Sequence, residues 1–196
     1  YMIDEEVLMK IINKTAIASL LTFAACHAWA TDGTIEFTGQ ILTSTCEFAG
    51  GEVVEIELGH YAAGQFKSIG DKTPSIPVAI PLKNCPIAPW KHVDGTTDAS
   101  FQVWLETLNG GTVGTDNNLV AVTGMDTAAT GVGIRIDTND GTQMFLNKLN
   151  DPKVSFPITG ATMNLNLVAY YVSTVDAQDI TAGEANASVD VTLDYR

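Results

Sequence analysis

Positive charge is scarce in this sequence: 10 Lys and Arg stand against 23 Asp and Glu among 196 residues, a formal net charge of −13. Nucleic acids and anionic membrane surfaces are held by clustered cations, so no nucleic-acid or membrane-surface partner is expected. Histidine and cysteine are equally sparse, at three each. After residue 30 only His60, His92, Cys46 and Cys85 remain, too few soft ligands for a zinc site beside a possible disulfide, so no metal site is expected. No serine lies in a G-x-S-x-G elbow. Both histidines fall in loop contexts, "IELGH" and "PWKHVDG", and read as exposed, inert imidazoles rather than bases for a nucleophile. "GVGIRI" at 131–136 lacks the later glycine and the helix of a phosphate loop. "DTNDGT" lacks the ligand spacing and distal glutamate of a calcium loop. The acids fall mostly in turns or on outward-facing strand positions, as solvated faces do. No catalytic residue and no cofactor are expected, and the chain reads as a non-enzyme.

Long apolar runs are also missing, with one exception near the start. Residues 15–26 are uncharged and largely apolar, but they fall short of the ~20 residues that cross a bilayer. Lys10 and Lys14 precede them and Ala28-Trp29-Ala30 follows, the layout of an export signal with an A-x-A cleavage site. Residues 1–30 therefore read as a signal peptide, with "YMIDEEVL" as upstream residues before a start at Met9, and the exported chain begins at Thr31. Acylation at Cys26 is the alternative, weakened by Phe23 where a leucine is usual. Export places Cys46 and Cys85 in an oxidising compartment, where they are expected to pair. Closing a loop of about 40 residues would remove roughly 4 kcal/mol of unfolded-chain entropy. Residues 31–196 are the size of one domain.

What is present is strand-like throughout. Short β-branched or aromatic runs bounded by turn residues fall at 34–42, 53–58, 76–82, 100–105, 133–137, 142–146, 163–172 and 188–195, and no helical stripe of useful length interrupts them. This is the pattern of an all-β sandwich. Asn139-Asp140-Gly141 predicts a hairpin turn between the fifth and sixth runs. The two terminal runs are alike: "GTIEFTGQI" sets Ile35, Phe37 and Ile41 on one face, and "ASVDVTLDYR" sets Val189, Val191, Leu193 and Tyr195 on one face with Asp190, Thr192 and Asp194 on the other. A half-buried closing strand accounts for one of these, not for both.

In order along the chain, "GTIEFTGQILTSTC", "VEIELGHYAAGQF", "IPLKNC", "GVGIRI", "VAYYV" and "AGEANASVDVTLDYR" resemble the subunits of chaperone-usher pili, the type 1 fimbrial protein family. The combination is specific: Gly39 stands before Cys46, Cys85 ends a strand, and Tyr195 is penultimate. The resemblance implies an incomplete immunoglobulin-like β-sandwich, the pilin fold, with an N-terminal donor-strand extension over 31–43 and a pilin domain over 44–196. It implies a structural subunit of an adhesive pilus, exported through the periplasm to the cell surface. Its partners would be neighbouring pilus subunits, a periplasmic chaperone and an outer-membrane usher, with no small-molecule cofactor. Polymerisation would proceed by donor-strand exchange, a form of β-strand addition. Gly33, Ile35, Phe37, Gly39 and Ile41 would enter a neighbour's groove, and Val189, Val191, Leu193 and Tyr195 would form the edge that a chaperone covers. The short extension suits either a tip adaptor or a major rod subunit. A rival reading is a secreted or periplasmic β-sandwich that binds a small ligand or carbohydrate in its loops, with Trp90 and Trp104 as possible sugar platforms.

Overall fold

Alternation in "IPVAIPLK" and "MNLNLVAYYVS" sends every second residue inward, and these two runs pair along most of their length as the centre of a sheet. A computed structural model describes residues 41–196 apart from 43, 109–110 and 149–153. The expected signal peptide over 1–30 and the expected extension up to residue 40, with Gly33, Ile35, Phe37 and Gly39, lie outside the described residues. The strands in chain order are β1 (Glu47–Phe48), β2 (Ile76–Lys83), β3 (Trp90–Lys91), β4 (Thr97–Asp98), β5 (Ser100–Thr107), β6 (Thr112–Val113), β7 (Leu119–Ala121), β8 (Val132–Thr138), β9 (Ser155–Pro157), β10 (Met163–Ser173) and β11 (Val189–Asp194). Among the described residues the only helical pieces are short 3-10 turns, so the fold is all-β.

One sheet has the order β1-β2-β10-β8-β7-β6 and the second β11-β5-β9, with β3-β4 as a separate hairpin. All strand pairs are antiparallel, as in β10 with β2 (Leu165↔Ile80) and β11 with β5 (Val191↔Leu105). The inner faces of both sheets meet in one core: Ile80, Leu82, Val120, Ile134, Leu165 and Leu167 from the larger, Phe101, Val103 and Leu105 from the smaller. Leu82 and Leu165 are fully buried. The disulfide joins Cys46 and Cys85 across 39 residues of sequence and ties the start of β1 to the end of β2, whose register pairs Glu47 with Lys83.

Most of the expected strands are present, with ends that differ by a residue or two. The Asp-Gly turn is also present: Gly141 has φ +87°, and Thr138 N–H donates to the Thr142 carbonyl at 2.8 Å. The glycine inside "GVGIRI" is explained by packing, since a Cβ at Gly133 would lie 2.7 Å from Val113 and 2.8 Å from Leu119. On the outer face of β8 and β10, the buried carboxylate of Asp137 accepts from Arg135 Nε at 2.5 Å and from Tyr170 OH at 2.6 Å. Burial, followed by that carboxylate, pushes the Tyr170 phenol up to about 12. Two expectations change. Residues 142–146 form isolated bridges, Gln143 to Asp137 and Leu146 to Leu105, rather than a strand. Residues 53–58 form no strand and belong to no ladder among the described residues.

The two faces of β10 give a direct test of the core. Leu165→Ala should cost about 2–5 kcal/mol through transfer and cavity terms, whereas Asn166→Ala, one residue along and exposed, should stay within about 0.5 kcal/mol. Denaturant midpoints of the two variants, measured with the disulfide intact, check this; similar losses would mean that the strand faces are wrongly assigned.

Candidate functional site

A strand inside a sheet satisfies its backbone on both edges, and β11 does so on one. Its ladder to β5 runs from Val189↔Thr107 to Asp194↔Gln102, and among the described residues nothing pairs with the other edge. The inward row of the chain end, Val189, Val191, Leu193 and Tyr195, is half-buried and rests on the core. Val54 and Leu58 rest on the same core. They belong to "VVEIEL", where Val54 and Leu58 are half-buried and Val53, Glu55, Ile56 and Glu57 are exposed, Ile56 at 37%. This segment and β11 share no ladder among the described residues.

Both ends of this pair of segments are tied. At one end Cys46 N–H donates to the Tyr195 hydroxyl at 2.7 Å. At the other, the Tyr61 and Tyr171 rings meet edge-on at 6.1 Å, and Tyr171 OH donates to the Ala185 carbonyl at 2.8 Å. The chain therefore runs from 46 to 61 against the direction of 185 to 195. Between the ties, no hydrogen bond among the described residues joins 53–58 to 189–194. Among the described residues the outer edge of β11 is unpaired beside an apolar row that rests on the core, the arrangement that accepts an added strand.

The far end of β11 is held by a dense polar cluster. Trp90 Nε1–H donates to the Tyr195 carbonyl at 2.9 Å, and the Tyr195 ring packs near Trp90 and Phe101, with centroids 6.0 and 5.9 Å away. Trp104 Nε1–H donates to the Asp194 carboxylate at 2.9 Å, and Arg196 Nε donates to it at 2.9 Å. The Arg196 hydrogen bond, aided by the Trp104 indole and opposed by burial, holds the Asp194 carboxyl down at about 2. Burial raises the Tyr195 phenol. Trp90 is buried, so its ring face is closed to a sugar, whereas Trp104 is half-buried with its indole N–H already bonded to Asp194.

His60 is exposed as expected, beside Glu57 at 4.0 Å. His92 is a correction: it is buried, because the β3–β4 hairpin folds it under the chain end. Its Nδ1 lies 3.0 Å from the Arg196 backbone oxygen and its Nε2 3.1 Å from Asp98 Oδ1. Ser100 Oγ is 3.5 Å from that same Nε2. A Ser-His-Asp relay needs serine and aspartate on different ring nitrogens, so this trio is a structural clasp. Of the expected donor residues only Ile41 is described, 96% exposed and outside any strand. Among the described residues, no three His, Cys, Asp or Glu side chains gather as a metal site. That Val54 and Leu58 pack on the core from a segment with no ladder partner among the described residues is not legible in the sequence, where 53–58 reads as a strand.

The family model described as Fimbrial protein matches residues 35–196. The chain is 48% identical over 194 residues to the fimbrial-like protein YraH of Escherichia coli K12, covering 96% of this chain and 100% of that protein. It is 32% identical to long polar fimbria protein A of Salmonella typhimurium, over 97% of this chain and 99% of that one. The crystal structure of the P pilus rod subunit PapA superposes with a TM-score of 0.60 at 16% identity, over 78% of this chain and 100% of that one, which is a likeness of fold.

The Asp194 cluster predicts a pH dependence. Its folded pKa is depressed from 3.8 to about 2, so its contribution is complete above the unfolded value and is lost as pH falls from about 4 through 2. Allowing for partial exposure, about 1 kcal/mol is at stake. Unfolding midpoints between pH 5 and 2 should fall more steeply for the unaltered chain than for Asp194→Asn; parallel curves would show that the cluster is not coupled to folding.

Proposed function

The chain belongs to the fimbrial protein family as a structural subunit of a cell-surface pilus, polymerising with other subunits, and we propose that it does so by donor-strand exchange through the groove beside β11. Gly33, Ile35, Phe37, Gly39 and Ile41 form the inward row of the strand it lends, and Val189, Val191, Leu193 and Tyr195, faced by Val54, Ile56 and Leu58, form the groove that receives a strand. The observation that carries this reading is the outer edge of β11, unpaired among the described residues beside an apolar row that rests on the core.

The magnitudes agree with a tight joint. Each large apolar anchor buried contributes roughly 1.5 to 3 kcal/mol, and each new backbone hydrogen bond about 0.5 to 1.5 kcal/mol. Ile35, Phe37 and Ile41 with one ladder would hold two subunits firmly. Before assembly, the same exposed edge is an aggregation hazard. Cover by a periplasmic chaperone, followed by delivery to an outer-membrane usher, answers that hazard. No catalysis is required by this role and no enzymatic activity is proposed.

The test is carried out on chain exported to an oxidising periplasm. Subunits carrying Phe37→Asp with Ile41→Asp should lose SDS-resistant ladders while keeping the Cys46–Cys85 disulfide, and Val191→Asp should lose them from the receiving side. Undiminished ladders in the first variant would rule out the assigned donor residues. A soluble monomer with or without residues 31–41 would mean that the sandwich needs no partner strand and would return the ligand-binding reading.

A further inference from the structure

The groove has charged rims as well as an apolar floor. On one rim Glu55 and Glu57 are exposed, and on the other Asp190 and Thr192 are exposed. Glu55 and Asp190 have no cationic partner among the described residues. The nearby cations are committed elsewhere: Arg196 to Asp194, and Lys148 to Glu106 at 3.3 Å, the residue opposite Asp190 in the ladder. A strand laid between these rims would place its outward side chains about 5 Å from acidic neighbours on both sides, the distance at which cross-strand charges act.

The chain's own N-terminal segment is poorly matched to such a site. With Gly33, Ile35, Phe37, Gly39 and Ile41 inward, its outward row is Asp32, Thr34, Glu36, Thr38 and Gln40, which has two acids and no cation. Self-donation therefore sets like charge against like charge on both flanks. We infer that the acidic rims Glu55, Glu57 and Asp190 make this groove selective for a strand from a different protein, one with Lys or Arg in its outward row, over a second copy of this chain. Apolar anchors give the occupant its grip, and the rims decide whose strand it is. This rests on the strand-exchange reading above and specifies the partner chemistry.

Peptides separate the two. Full-length chain purified from the periplasm is mixed with three peptides covering residues 31–41: unaltered, Glu36→Gln and Glu36→Lys. SDS-resistant adducts are followed at about 20 mM and about 0.5 M salt, conditions of weak and strong screening. At low salt the Glu36→Lys peptide should be captured about threefold to tenfold faster than the unaltered one, with Glu36→Gln between them. The differences should collapse at high salt and in chain carrying Glu55→Gln, Glu57→Gln and Asp190→Asn. Equal capture of all three at low salt, or a preference that survives the rim substitutions, overturns the charge selection while leaving strand exchange standing. Capture of none of them overturns both.

Discussion

Every backbone N–H and C=O in a sheet needs a partner, and in this molecule the outer edge of β11 has none among the described residues. Extended backbone with bare donors and acceptors beside a half-covered apolar row is a costly state that an incoming strand relieves on both counts at once. The core of Leu82, Leu105 and Leu165 is buried with that edge unpaired among the described residues. The proposed strand exchange uses that combination, a closed core beside an edge that can still take a partner.

Keeping such an edge open requires rigid ends. The disulfide holds Cys46 against the end of β2, Cys46 N–H reaches the Tyr195 hydroxyl, and Trp90 holds the Tyr195 carbonyl. At the opposite end Tyr61, Tyr171 and Ala185 form the second tie. These contacts hold the segment from 46 to 61 beside that from 185 to 195 with no ladder between them among the described residues. The penultimate tyrosine is thus both the last residue of the inward row and the bolt that sets one wall. The His92 clasp under Arg196 and the Asp194 cluster add polar anchors at the same end, which concentrates order where β11 leaves the sheet.

Much of this was legible in the residues. Period-two alternation in 76–82, 100–105, 163–172 and 188–195 specified strands and their buried faces, because a one-residue slip would turn the whole row to solvent. Asp140-Gly141 marked its turn through the demand for positive φ. Less was legible where neighbours decide the outcome. Residues 53–58 have as good a strand pattern as any, yet whether an extended segment finds a ladder depends on what lies beside it. Likewise 142–146 alternates but meets its neighbours only in isolated bridges, and His92, polar and in a loop, is buried because a hairpin closes over it.

The sequence by itself determined the all-β class, the two cysteines that pair, the acidic balance and the amphipathic rows at both ends, because each of these follows from residue type and spacing along the chain. Only the tertiary structure decided that 53–58 and β11 rest on one core with no ladder between them among the described residues, that both described tryptophan indoles are already bonded, and which acids are exposed beside that edge. Those depend on which distant segments are brought side by side, and period-two patterning is the same for a strand that has a neighbour and for one still lacking it.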